Sequence, residues 1–515
     1  MRACLRTAGA ALLLAIAAQP ASAAWHKAST RHFIIYADLN PDKLTEYASK
    51  LERFDQVVRH ARRMEDPPVG DGNRLTVYVV RDIRAVQKLA NSSDIGGFYI
   101  GRAVGPFAVV PKRTDSFDVS YDEAQIIFFH EYAHHLMLQQ IDTPLPEWLV
   151  EGFAEFMSTA SFEKDGSIML GRPANHRAVS LIYGDQLPLE TLLAGNYRNL
   201  NDELRESVYA KGWLLTHYLN FDAARRPQLP KYVQEIAAGK GGLEAARAAF
   251  GDLKKLEAEL KEYVKQRRIS ALRIMPTDRT PPPVNVTPLS AGAAMVLPLR
   301  MDSKMGVDEK TAEPLAVKVR KVEARYPGDP LVEVTLAEAE IDSGHHDASE
   351  AAADRVLAAD PNNTEAMIFK ARSIVERAAK AKTPDPKQFT LGRQWLLKAN
   401  KIDSEDPEPL LEYYNSFLLE GGTPTKNAID ALHYASNLAP QDANLRLTSA
   451  IQYVRDKNLK EARRTLVPIA FDPHDSAMAD AARKVIARID AGDAAGALKV
   501  TEAPPETTAP SKGSN

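Results

Sequence analysis

The chain of 515 residues contains one cysteine, Cys4. No intramolecular disulfide can form, so stability must come from buried apolar surface or from a bound ion. An excess of either charge is also missing: 65 Lys and Arg face 68 Asp and Glu, a net charge of -3. Without a basic stripe, nucleic-acid binding has no footing. Long apolar runs are absent too. The nearest is Ala8 to Ala18, too short to span a bilayer. It follows Arg2 and Arg6 and leads to Ala21-Ser22-Ala23, which together read as a signal peptide over residues 1–23 with an A-x-A cleavage site. Cleavage would remove Cys4, leaving a mature chain with no cysteine and no transmembrane segment. The expected location is the periplasm, or the medium if the protein is secreted.

Proline and glycine are missing from Ser120 to Thr143, and this gap matters most. Ser120 followed by Glu123 is a capping box, so a helix of about five turns is expected to start here. It carries His130, Glu131 and His134, the H-E-x-x-H pattern. Residues four apart share one helix face, so both imidazoles can reach a single ion. Neutral nitrogens so spaced suit zinc, and Glu131, one step round, can reach a water on the metal. His135 is rotated away from that face and reads as structural.

A catalytic zinc needs a third protein ligand. After the turn at Pro144 to Pro146, the segment from Trp148 through Glu151 to Glu155 reads as a second helix, packed antiparallel, that can supply it. Glu155 lies one turn beyond Glu151, where it can accept the free ring N–H of a liganding histidine.

H-E-x-x-H followed by W-L-x-E-G resembles the gluzincin metallopeptidases. The resemblance implies zinc bound by His130, His134 and Glu151, one ion per chain, with Glu131 as general base. Glu155 matches the acidic residue that orients a ligand in the thermolysin-like branch. Val208-Tyr209-Ala210-Lys211-Gly212 is similar to the Y-E-K-G segment of the aminopeptidase-like branch, which assigns Tyr209 to the oxyanion. The substrate implied is a peptide or protein. The G-x-M-E-N strand of aminopeptidases has no counterpart, since Gly96-Gly97-Phe98-Tyr99 lacks the carboxylate, and this favours an endopeptidase.

Around the motif, Trp25 to Asp38 reads as one opening strand, Leu44 to Met64 as a helix, Leu75 to Val80 as a strand and Gly96 to Pro111 as a hairpin. This order resembles the gluzincin catalytic half, where an edge strand roofs the cleft and could pair with an extended peptide. A hairpin is expected at Lys164-Asp165-Gly166, then helices to about Arg268. Prolines from Pro276 to Pro288 suggest a semi-rigid linker with few contacts crossing it. Beyond it the chain turns alanine-rich and helical. Turns at Pro327, Pro361, Asp403, Pro440 and Pro473 divide it, with Pro327 and Pro361 34 positions apart and an insertion at Thr383 to Pro386. This is the tetratricopeptide period, partly degenerate.

The expected class is α+β: a zincin-like catalytic domain of mixed sheet and helices over 24–273 and a linker over 274–300. An all-α tetratricopeptide-like repeat domain over 301–495 and a disordered tail over 496–515 follow. The expected function is an exported zinc metallopeptidase. The alternative is a protein-binding or assembly factor that uses the concave surface of the repeats for a protein partner, with a vestigial or structural zinc site.

Overall fold

A computed structural model describes residues 25–93, 95–112, 123–138, 145–184, 187–195, 197, 200–275, 283–470 and 476–502. The expected signal peptide over 1–23, the expected capping residue Ser120 and the expected turn at Pro473 lie outside the described residues.

The chain opens on a hairpin, β1 (His26–Ser29) and β2 (Phe33–Ala37), where one strand was expected. Thr30 makes the turn: its amide donates to Phe33 O and its Oγ1 accepts from Phe33 N. Next come α1 (Pro41–Arg62), β3 (Leu75–Val80), α2 (Ile83–Ala90) and the expected hairpin of β4 (Phe98–Ile100) and β5 (Phe107–Pro111). The motif helix α3 (Glu123–Leu138) and α4 (Glu147–Ser158) follow, then a hairpin of β6 (Ser161–Phe162) and β7 (Ile168–Leu170). The helices continue as α5 (Ala178–Ile182), α6 (Leu189–Ala194), α7 (Asp202–Phe221), α8 (Gln228–Ala237), α9 (Gly242–Phe250) and α10 (Leu253–Tyr263).

Strands β8 (Leu272–Ile274) and β9 (Asn285–Pro288) come next, with α11 (Ala291–Lys304) after them. They correct the expected linker over 274–300. β8 joins β6 and β7 in a small sheet. β9 pairs antiparallel with β1 and becomes the edge of the main sheet, ordered β4-β5-β3-β2-β1-β9. An edge strand tolerates proline because one side of its ladder is unpaired, so the prolines concealed a strand.

Alternation along the strands sorts the two faces of the main sheet. Phe33, Ile35, Val77, Ala108 and Val110 face the core under α1 and α3. Tyr36, Tyr78, Phe107 and Val109 face the other way and are covered by Leu297 and Met301 of α11. Beneath α3 a buried ionic network fixes its position. Asp55 of α1 accepts from Tyr132 Oη at 2.7 Å and from Arg59 Nε at 2.9 Å. Beside it His32 bonds Glu52 at 2.8 Å and Asp66 at 2.9 Å. Burial opposes protonation of His32, but Glu52, Asp55 and Asp66 outweigh it and raise its pKa.

The remaining helices stack in tandem. They are α12 (Ala312–Glu323) and α13 (Pro330–Asp342), α14 (His346–Ala359) and α15 (Thr364–Lys380), and α16 (Pro386–Ile402) and α17 (Pro407–Leu419). Then come α18 (Lys426–Leu438) and α19 (Ala443–Arg455), α20 (Leu459–Ala470) and α21 (Ser476–Asp490), and α22 (Ala494–Glu502). The expected turns at Pro327, Pro361, Asp403 and Pro440 each separate the helices of a pair. The insertion at Thr383 to Pro386 falls between α15 and α16, both of 17 residues and longer than their neighbours. Helix α22 corrects the tail expected from residue 496: Ala497 is buried among Leu466, Val485 and Ile489. Among the described residues no helix is long and apolar enough to cross a membrane.

The repeat turns dock onto the N-terminal part, contrary to the expectation of few crossing contacts. Asp71 N donates to Asp403 Oδ2 at 2.7 Å, Asn73 Nδ2 to Leu438 O at 2.7 Å and Ala103 N to Asp442 Oδ2 at 2.8 Å. A fragment ending at residue 273 therefore loses β9, α11 and these contacts. Compared with the full chain, it should be insoluble or melt at least about 10 °C lower, since several kcal/mol are removed at about 2–4 °C each. A fragment with an unchanged melting temperature would contradict this.

Candidate metal centre

The site is built where α3, α4 and α7 meet. Helices α4 and α7 touch backbone to backbone because two glycines face each other. A methyl on Gly152 would lie 2.4 Å from Gly212 O, and one on Gly212 would lie 2.7 Å from Trp148 O. Each glycine follows a site residue closely: Gly152 is next to Glu151, and Gly212 is one turn after Tyr209. The contact thus carries Glu151 and Tyr209 to the same place. Helix α4 runs opposite in sense to α3, so Glu151 meets both histidines and the later Glu155 meets the earlier His130.

Three ligand atoms converge. His130 Nε2 and His134 Nε2 are 3.1 Å apart, and Glu151 Oε2 is 3.3 Å from the first and 3.4 Å from the second. Ligands about 2.0–2.1 Å from a tetrahedral ion stand about 3.3–3.4 Å from one another. Two imidazole nitrogens and a carboxylate oxygen so arranged fit a small divalent ion, which His130, His134 and Glu151 would hold. Glu151 is fully buried. Burial works against a proton on His130, but Glu151 and Glu155 outweigh it and push its pKa up to about 10. A proton or a metal cation can balance these carboxylates.

Glu155, also buried, stands 3.3 Å from His130 Nδ1, so the ring is bracketed by a carboxylate on each nitrogen. Its other partners are His176 Nε2 at 2.7 Å and Arg177 Nη2 at 2.6 Å. Burial would raise the Glu155 pKa, yet Arg177, His130 and His176 hold it well below the usual carboxylate range. Tyr209 lies with its ring 6.1 Å from that of His130. Burial first, then Glu151 and Glu147, push its phenol above the ordinary range, so it keeps its proton as a donor. Glu131 is half-buried on α3, and its charge helps to raise the phenols of both Tyr209 and Tyr99. His135 lies off the site, bonded through Nδ1 to Tyr99 Oη at 2.7 Å, which ties edge strand β4 to α3. Burial pushes its pKa down to about 3, so it stays neutral.

His176, Arg177 and Glu206 were not singled out from the sequence: a short 3-10 turn, Asn175–Arg177, delivers the first two, and Glu206 on α7 bears on the site only through Arg177. The two glycines did leave a signal, as each interrupts an apolar helical pattern beside a motif residue.

No protein-family profile and no curated protein matches the chain. Solved structures that resemble it include a thermophilic TPR protein of Thermus thermophilus, with 15% identity and a TM-score of 0.32, covering 38% of this chain and 97% of that one. Another is PilF of Pseudomonas aeruginosa, at 15% identity and a TM-score of 0.32, covering 41% and 88%. A third is MamA of Desulfovibrio magneticus, at 16% and 0.25, covering 34% and 92%.

A methyl at the helix crossing should disturb the site. Gly152→Ala and Gly212→Ala are each expected to cost about 1–3 kcal/mol and to weaken metal binding, whereas Gly241→Ala, whose added methyl meets nothing within 4 Å, should not. Helix propensity alone would favour alanine by about 1 kcal/mol. A gain in melting temperature at Gly152 or Gly212 would therefore contradict the packing argument.

Proposed function

We propose that the chain is an exported, zinc-dependent metallopeptidase of gluzincin type that hydrolyses internal peptide bonds of a peptide or protein. The reading is carried by the convergence of His130, His134 and Glu151 at separations of 3.1 to 3.4 Å, with Glu131 on the same helix and Tyr209 alongside. Zinc bound there would supply an acidified water and polarise a carbonyl. Glu131 takes the proton of the attacking water and hands it to the leaving amine. Tyr209, which keeps its proton, donates to the carbonyl oxygen as negative charge develops on it. Glu155 accepts from His130 Nδ1 and fixes that ring. The short edge strand β4, tied to α3 through Tyr99 and His135, offers a backbone edge for an extended peptide.

The second reading is a periplasmic binding or assembly factor whose helical repeats engage a protein partner. It draws on the stacked helix pairs, an architecture that presents extended binding surfaces. Glu131 separates the two, because a structural metal site has no need of a base.

Glu131→Gln decides between them. The metal-loaded wild-type chain should cleave members of an unstructured peptide library. The variant should keep its metal and melting temperature while turnover falls at least about 100-fold. A metal-loaded wild type that cleaves nothing would favour the second reading, and a variant with unchanged turnover would contradict Glu131 as the base.

A further inference from the structure

We propose that Arg177 is the positioning residue that fixes His130 and Tyr209 relative to each other, an inference that rests on the reading of the site given above. Its guanidinium donates to Glu155 Oε1 through Nε at 3.1 Å and Nη2 at 2.6 Å, and to Glu206 Oε2 through Nη1 at 2.5 Å. The same group lies over the ring of Tyr209, 5.0 Å from its centroid. Glu155 is the carboxylate against His130 Nδ1. Glu206 stands three residues before Tyr209 on α7, one turn away.

One planar cation therefore joins α4, which carries Glu151 and Glu155, to α7, which carries Tyr209. A guanidinium suits this role because its in-plane donors serve two carboxylates while its face rests on an aromatic ring. An ammonium is a point charge and cannot do both at once. Arg177 is itself held in place. It immediately precedes α5, whose Leu181 packs against the main core, and the preceding His176 binds the other oxygen of Glu155 at 2.7 Å. Loss of the guanidinium frees Glu155 to turn, and with it the ring of His130, while Tyr209 loses the cation that pins its face.

The test uses the full chain as Arg177→Lys and Arg177→Gln, loaded with Co²⁺, whose visible spectrum reports ligand geometry. Both variants should bind one ion about 10–100-fold more weakly and show an altered cobalt spectrum. With zinc, kcat should fall about 10–100-fold while KM moves less than about threefold, and lysine should not restore the wild-type spectrum. Arg177→Ala supplied with free guanidinium ion should regain part of the lost kcat, and with ammonium it should not. Glu206→Gln keeps the measurement open if the arginine variants fail to fold: it releases only the α7 end, so kcat should fall while metal affinity stays within about threefold. Variants with the wild-type cobalt spectrum, affinity and kcat overturn the proposal alone. A wild-type chain that binds neither Co²⁺ nor zinc overturns the reading of the site, and this proposal with it.

Discussion

Two glutamates buried one turn apart on α4, against a single imidazole, are the constraint on which the rest of the structure depends. Burying a carboxylate costs several kcal/mol unless charge or hydrogen bonds compensate. Glu155 is compensated by Arg177 and His176, brought in on the segment leading to α5. Glu151 faces His130 and His134, where a cation or a proton meets the same need. The geometry needs three helices in fixed relation. The Gly152–Gly212 crossing sets α4 against α7, and the Tyr132–Asp55 bond sets α3 against α1.

The repeats bear on this arrangement from outside. Their inter-helix turns hold a 3-10 turn at Asp71–Asn73 and the loop just after β4. Gln441 lies against Gly101, at the end of the strand whose Tyr99 reaches His135. The path from repeat turn to edge strand to motif helix is made of direct contacts. The edge proposed to receive a peptide is therefore braced by the part of the chain proposed to engage a partner, and the two halves are built as one object.

Local spacing made much of this legible in the sequence. Residues four apart on a helix must share a face, so His130 with His134 and Glu151 with Glu155 could be read as pairs. Short apolar runs bounded by turn residues marked the main strands, and the proline and aspartate turns marked the repeat boundaries. What stayed hidden depends on contacts between distant segments. Arg177 and His176 sit in a three-residue 3-10 turn that no periodicity encodes, and Glu206 gains its role only from Arg177. Strand β9 lay among prolines, which local rules read as a linker although a sheet edge accepts them. The docking of Asp403, Leu438 and Asp442 joins segments more than 300 positions apart, which a degenerate repeat does not reveal. Glycine at 152 and 212 was visible as a letter, but its partner across the helix crossing was not.

Metal content tests the central claim most directly. The full-length protein, purified without added metal and analysed by elemental mass spectrometry, should carry one zinc per chain, and Glu151→Ala should remain folded and carry almost none. A wild-type chain without zinc even after reconstitution, or a Glu151→Ala chain that retains a full equivalent, would contradict the assignment of His130, His134 and Glu151 as the ligands.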